Sequence, residues 1–326
     1  MGNERKRVAI ACQGGGSHTS FTAGVLQGLL TETPSDVEIV ALSGTSGGAI
    51  CATLAWDGFL RGDTKRASAQ LESFWKMMSA QEPWDQLVNQ AMASVTRLRE
   101  ISVLPEVSPY HMPTWAEERF RETLEKHLDF EELRRLAKQP GAPGLRIGAV
   151  EVLSGCFEVF SGEELCAECL LASAAIPELF RAIPVPGRGV YWDGLFSQNP
   201  PIRDLLQFRP EEIWVIQINS VTRASVPTET HEILDRRNGL AGNLSLTQEL
   251  VFIDAINRAI ERGVLNDPKY RVIHVERIYL DRELHYRTKL DRHPQFLREL
   301  MDYGQTKWRK FARDRRVAPE LTDQLV

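Results

Sequence analysis

The sequence predicts an α/β fold built on a mostly parallel central sheet. Three observations point there. Two short apolar runs each end in a glycine-rich turn and continue into a helix-forming stretch. Gly14 and Ser46, which mark those turns, are 46 − 14 = 32 positions apart, the length of one βαβ unit. Further strand-like apolar runs recur down the chain between stretches of helical periodicity, as expected of a sheet with helices on its faces. With 326 residues, 43% of them hydrophobic, the chain is long enough for one large domain. We expect a single domain over residues 1–326, with a core at about 7–220 and a strand-and-helix extension at about 221–326.

Val8-Ala9-Ile10-Ala11-Cys12 reads as the first buried strand. It leads into Gln13-Gly14-Gly15-Gly16-Ser17-His18 and then a helix from about Thr19 to Leu30, with Phe21, Val25, Leu26, Leu29 and Leu30 on its inner face. Strand, triple glycine and helix form an anion cradle, because backbone N–H groups without side-chain cover converge on one point. A nucleotide phosphate or a tetrahedral oxyanion could occupy it. The Lys-Ser/Thr ending of a P-loop is absent, and GxGxxG with its later ribose acid is not satisfied. His18 is either a polar residue at the start of a helix or an accessory that carries a proton or contacts an anion.

The second unit is sharper. Ile39 to Ser43 is a buried strand, Gly44-Thr45-Ser46-Gly47-Gly48 a tight turn, and Ala49 to Trp56 a helix. This is the sequence form of a nucleophile elbow, with Ser46 thrust out at a helix N-terminus. Side chains at Gly44 and Gly48 would collide with neighbouring backbone. Two such loops at the carboxyl edge of adjacent parallel strands predict one shared pocket.

Thr64 to about Lys138 is mostly helical by periodicity: Leu71, Phe74, Trp75 and Met78 recur on one face, as do Trp115, Phe120, Leu124 and Leu128. Between them the prolines of Leu104–Pro113 exclude regular structure, leaving a connector or a cover over the pocket. Arg146–Val152 and Cys156–Phe160 read as a hairpin turning at Ser154-Gly155. A helix over Glu163–Ser173 leads to Ala172-Ser173-Ala174-Ala175-Ile176-Pro177. After a Gly187-Arg188-Gly189 turn, Val190-Tyr191-Trp192-Asp193-Gly194 ends in an aspartate that locally reads as a turn cap. Ile213–Asn219 is a buried strand, residues 228–262 hold one or two helices, and Tyr270–Ile278 is a late strand. A terminal helix carries Phe296, Leu300, Met301, Gly304, Trp308 and Phe311 on one side. Its basic, aromatic stretch Lys307–Arg316 either lies on an anionic lipid surface, with Trp308 and Phe311 entering it, or docks those aromatics on the core.

The net charge of −5 argues against a nucleic-acid partner. The five cysteines lie mostly in apolar runs, and Cys166-Ala167-Glu168-Cys169 has no second pair at metal spacing, so neither metal nor cofactor is expected. Reduced thiols, the lack of a signal-peptide core and the lack of any run of ~18 apolar residues predict a cytoplasmic protein that meets membranes peripherally. Gly2 is not read as a myristoylation site, because Lys6 stands where Ser or Thr is required.

A serine hydroxyl needs a base. Asp254 with His274 or His285 would follow the Ser–acid–His order of α/β-hydrolases, but an elbow ending only the second strand suits that plan poorly. Taken together, four blocks in order resemble the patatin-like phospholipases: Gly14-Gly15-Gly16, Gly44-Thr45-Ser46-Gly47-Gly48, Ala172–Pro177 and Asp193-Gly194. The resemblance covers about residues 7–205 and departs at His18, where the family usually has Arg or Lys, and at Leu195, where it has a small residue. It implies a three-layer α/β/α fold with a helical insertion after the nucleophile helix. It also implies a dyad of Ser46 and Asp193, an oxyanion site at Gly14, Gly15 and Gly16, and a lipid ester substrate cleaved through an acyl-enzyme. An ordinary carboxylate of pKa ~3.9 is a feeble base, so such a dyad requires Asp193 to be desolvated. A soluble carboxylesterase or thioesterase on the same dyad, a non-catalytic lipid-binding protein and a nucleotide-binding α/β protein remain as alternatives.

Overall fold

The structure is a computed structural model that describes residues 5–81, 108–177, 179–223 and 225–317. Of the proline-bearing stretch 104–113, residues 104–107 lie outside the described residues.

Among the described residues eight strands form one sheet: β1 (Lys6–Cys12), β2 (Val37–Thr45), β3 (Gly144–Glu151), β4 (Phe157–Ser161), β5 (Ile183–Val185), β6 (Gly189–Asp193), β7 (Glu212–Gln217) and β8 (His274–Tyr279). Their order is β5-β6-β3-β2-β1-β7-β8, with β4 paired to β3. The neighbours from β3 to β8 run parallel, and β4, β5 and β6 add antiparallel pairs at one end. The expected hairpin is β3–β4, and the expected turn at Gly187 joins β5 to β6.

Alternation along the central strands divides the core. Val8, Ile10 and Cys12 of β1 join Trp214 and Ile216 of β7 on one face. There they meet helices α1 (Ser20–Thr31), α2 (Gly47–Arg61), α3 (Thr64–Met78) and α8 (Pro294–Val317). Ala9, Ala11, Ile213 and Val215 face the other way, onto Leu246 and Ile253 of the long helix α7 (Thr230–Glu261). The result is a three-layer α/β/α fold. Both faces of the parallel strands are covered, which is why those strands read as nearly continuous apolar runs.

Helix α8 crosses α1 at very short range. A Cβ on Gly24 would fall 1.9 Å from Met301 O, and one on Gly304 would fall 2.1 Å from Phe21 O, so hydrogen is the only side chain that fits. The same crossing favours the core-docking reading of this helix's aromatic stretch. Trp308 is only 1% exposed and packs 5.7 Å from the Trp214 ring, with Phe311 5.2 Å from Trp214. Trp308 is committed to the core, and Phe311 is half-buried against the same Trp214 ring.

Other boundaries moved. The helix expected over 163–173 is interrupted by a 3-10 turn at Gly162–Glu164, leaving α6 as Ala167–Ser173. The one or two helices expected over 228–262 are the single helix Thr230–Glu261, and the late strand begins at His274, not Tyr270. In α4 (Trp115–His127) and beyond, Leu124 and Leu128 are buried, whereas Trp115 is exposed. Helix α5 (Phe130–Ala137) then returns the chain to β3. Among the described residues no helix is long and apolar enough to cross a membrane.

Candidate active site

Ser46 is the single residue between β2 and α2, and its φ of 55° lies in the left-handed half of backbone space. A non-glycine residue held there costs of order 1–3 kcal/mol and needs its surroundings to hold it. The surroundings are tight. A Cβ on Gly44 would lie 2.6 Å from the Ala49 backbone, and one on Gly48 would lie 2.4 Å from Cys12 O. The Ser46 N–H donates to Ser173 Oγ at 3.0 Å, and Ser173 donates onward to Gly148 O at 2.7 Å. The Ala172–Pro177 block thus braces the elbow through its serine.

Asp193 reaches the same place by register. Thr45 of β2 pairs with Gly148 of β3, and the next residue of β3, Ala149, pairs with Asp193 of β6. Only one strand separates the two side chains. Gly194 then turns back over that strand; a Cβ on it would lie 2.4 Å from Gly148 O and 2.9 Å from Thr45 Cγ2. Ala175 O accepts from the Asp193 N–H at 2.9 Å, so the Ala172–Pro177 block positions both residues. Asp193 Oδ1 accepts from the Leu195 N–H at 2.8 Å. The turn-capping reading was correct, and it coexists with a contact to Ser46.

Asp193 is 1% exposed. Burial pushes its pKa from an ordinary 3.8 up to about 7, while the Leu195 N–H, the Ser46 hydroxyl and the Lys289 ammonium favour its ionised form.

The glycine loop abuts the serine: a Cβ on Gly14 would lie 2.4 Å from Thr45 O and 2.9 Å from Ser46 Cβ. One expectation changes here. The Gly14 N–H donates to Asn199 Oδ1 at 2.6 Å, so it is already engaged. Among the described residues the Gly15 and Gly16 N–H groups meet no protein acceptor, and they are the loop's available donors. Gln13 anchors the loop from below, accepting from Ile218 N–H and Asn219 N–H at 3.0 Å each.

His18 is buried, and its Nε2 pairs with Thr288 Oγ1 at 2.7 Å. Burial, with the Lys289 charge beside it, lowers its pKa to about 3, so it is neutral throughout the physiological range. It contributes no charge to the site. Asp254 is exposed and pairs with Arg258, and His274 and His285 are exposed, so the Ser–acid–His alternative has no assembled triad. Three residues were missed as functional candidates: Ser173, Asn199 and Lys289. Ser173 stands in a block the sequence marked, without a role. Lys289 had no local signal. Among the described residues no group of three or more His, Cys, Asp or Glu is placed to hold a metal ion.

A model of the family described as patatin-like phospholipase matches residues 10–206, more than half of the chain. No curated protein matches the sequence. Among solved structures, VipD from Legionella pneumophila is similar at 16% identity and a TM-score of 0.41, covering 92% of this chain and 67% of VipD. Full-length ExoU of the type III secretion system of Pseudomonas aeruginosa, solved with SpcU, is similar at 16% identity and a TM-score of 0.34. That match covers 97% of this chain and 54% of the other, so the chain spans only about half the length of ExoU.

Proposed function

Because this chain belongs to the patatin-like phospholipase family, we propose that it hydrolyses a carboxylic ester of a lipid through Ser46 and Asp193. The observation that carries the reading is a buried carboxyl of pKa about 7 facing a strained serine at a helix N-terminus. A base is most useful when its pKa lies near the working pH.

In the first half-reaction Asp193 takes the hydroxyl proton as Ser46 Oγ attacks the ester carbonyl carbon. The carbonyl π bond opens and the charge moves to oxygen, where the Gly15 and Gly16 N–H groups are the donors at hand. Collapse re-forms the carbonyl, breaks the bond to the alkoxy oxygen and sends the proton from Asp193 to the departing alcohol. An acyl group now esterifies Ser46. In the second half-reaction Asp193 takes a proton from water, the hydroxide oxygen attacks the acyl carbon, and collapse returns the proton to Ser46 as the fatty acid leaves. Atoms and charge balance without a further reactant.

The test is direct. A fluorophosphonate probe should label Ser46 and no other serine, and Ser46→Ala and Asp193→Asn should each abolish ester hydrolysis while the circular-dichroism spectrum stays native. Turnover retained by either folded variant refutes the dyad. Rates on micellar against monomeric esters separate a lipase from a soluble carboxylesterase or thioesterase. Lack of labelling and of turnover on every ester points instead to a non-catalytic lipid binder.

A further inference from the structure

Lys289 sits in the 3-10 turn Tyr286–Leu290, on the segment between β8 and α8, and it is only 9% exposed. Its Nζ donates to Asn219 Oδ1 at 2.6 Å and lies 4.2 Å from the centroid of the Tyr286 ring. Among the described residues no carboxylate pairs with it. A buried ammonium held only by an amide oxygen and an aromatic face is costly, by several kcal/mol before compensation.

Its placement shows where compensation comes from. A Cβ on Gly16 would lie 2.2 Å from Lys289 O, and one on Gly15 would lie 3.4 Å from Lys289 Cε. The lysine therefore lies directly against the two glycines whose N–H groups are unpaired. Both sides of it are pinned: His18 holds Thr288, and Asn219 is tied to Gln13 through its N–H and to Asn243 through its carbonyl. The titratable groups that face it are Asp193 from the end of β6, His18 from the 3-10 turn Gly16–Thr19 before α1, and Tyr286 from its own turn. His18 is neutral, so the negative charge available to Lys289 is that of Asp193.

We propose that Lys289 is the electrostatic positioning residue of this active site: its ammonium, set against the glycine loop by Asn219, keeps Asp193 ionised and then stabilises the oxyanion over Gly15 and Gly16. The inference rests on the dyad reading above. When Asp193 takes the serine proton, negative charge leaves the carboxylate and appears on the substrate oxygen. The number of charges in the pocket does not change, and a fixed cation serves both states without rearrangement. Burial lowers the Lys289 pKa to about 7, with Asp193 opposing the fall, so its charge is lost as pH rises through about 7, and at lower pH if the carboxylate is removed.

The test uses the full chain and compares Lys289→Met, Lys289→Arg and Asn219→Asp. The Asp substitution keeps the lysine but gives it a permanent counter-ion, so it should quench the same field. On a monomeric p-nitrophenyl ester, Lys289→Met should lower kcat on the order of 30–100-fold, leave KM within about twofold and move the acid limb of the pH profile upward. Asn219→Asp should move both in the same direction, and Lys289→Arg should restore most of the rate. A second readout is independent of turnover: the Asp193 carboxyl, assigned by its absence in Asp193→Asn and titrated by infrared difference or 13C NMR, should titrate at higher pH in Lys289→Met and in Asn219→Asp. If the wild type hydrolyses no ester, this titration still decides the role of Lys289. If Lys289→Met does not fold, Asn219→Asp decides it. An unmoved Asp193 titration in a folded variant, or a loss confined to thermal stability, overturns the proposal.

Discussion

The backbone N–H of Ser46 points at the hydroxyl of Ser173, 3.0 Å away, and that hydroxyl points in turn at Gly148 O, 2.7 Å away. One side chain thus satisfies a donor and an acceptor beneath the strained residue of the elbow. Ser173→Ala leaves both groups buried and unpaired, which costs about 1–3 kcal/mol. We expect melting to fall by several degrees and kcat to fall roughly 10–100-fold as the serine loses its fixed position. Calorimetry and steady-state kinetics on a monomeric ester measure the two effects. An unchanged kcat removes Ser173 from the positioning of Ser46.

The pKa of Asp193 makes activity and stability respond to pH in opposite directions. The folded protein raises this carboxyl from 3.8 to about 7, so between those values the folded state binds a proton that the unfolded chain does not. Its contribution to stability is fully present below about 3.8 and is lost as pH rises through about 7. The proposed base works only when ionised, so kcat/KM should climb as pH rises towards about 7, and fall at higher pH as Lys289 gives up its proton. Asp193→Asn keeps the acceptor for the Leu195 N–H and removes the buried charge. It should be inactive yet melt a few degrees higher than the wild type at pH 8, with the gap closing at pH 5. Melting curves at the two pH values check this.

Gly14→Ala places a methyl group 2.4 Å from Thr45 O, in backbone that has nowhere to move. We expect activity to fall beyond detection and stability to fall by about 1–3 kcal/mol, typical of overpacking. Urea unfolding gives the second number. A variant of native stability and normal rate contradicts the close approach of the glycine loop to Ser46.

Trp308→Ala empties a site at the crossing of α8 with α1 and β7. The expected loss is about 3–5 kcal/mol, with no specific loss of vesicle binding in protein that remains folded. A near-neutral substitution that abolishes vesicle binding supports the lipid-facing role that the structure argues against.

The elements that proved legible were those with a local cause. A strand ending in Gly-Thr-Ser-Gly-Gly and continuing into a helix requires an elbow, because only hydrogen fits where Gly44 meets the Ala49 backbone and Gly48 meets Cys12 O. Alternation of Val8, Ile10 and Cys12 with Ala9 and Ala11 is written in the strand itself, and it divides the two layers of core. Trp308 shows the limit of such patterns. Aromatic residues at helical spacing fit a lipid surface and a protein core equally well, and only the presence of Trp214 opposite chooses between them.

What the chain's own order of residues determined, then, was the sequence of strands, turns and helices and the presence of one serine and one aspartate suited to the chemistry. What tertiary structure alone decided was which groups meet them. Asn199 takes the Gly14 N–H, Ser173 takes that of Ser46, and Lys289 arrives from 289 − 193 = 96 positions beyond Asp193 to lie against the same loop. Periodicity reports the state of a residue's own backbone and the face it turns inward. Contacts across such separations depend on strand register and on how helices seat against the sheet, and no short stretch of sequence carries that information.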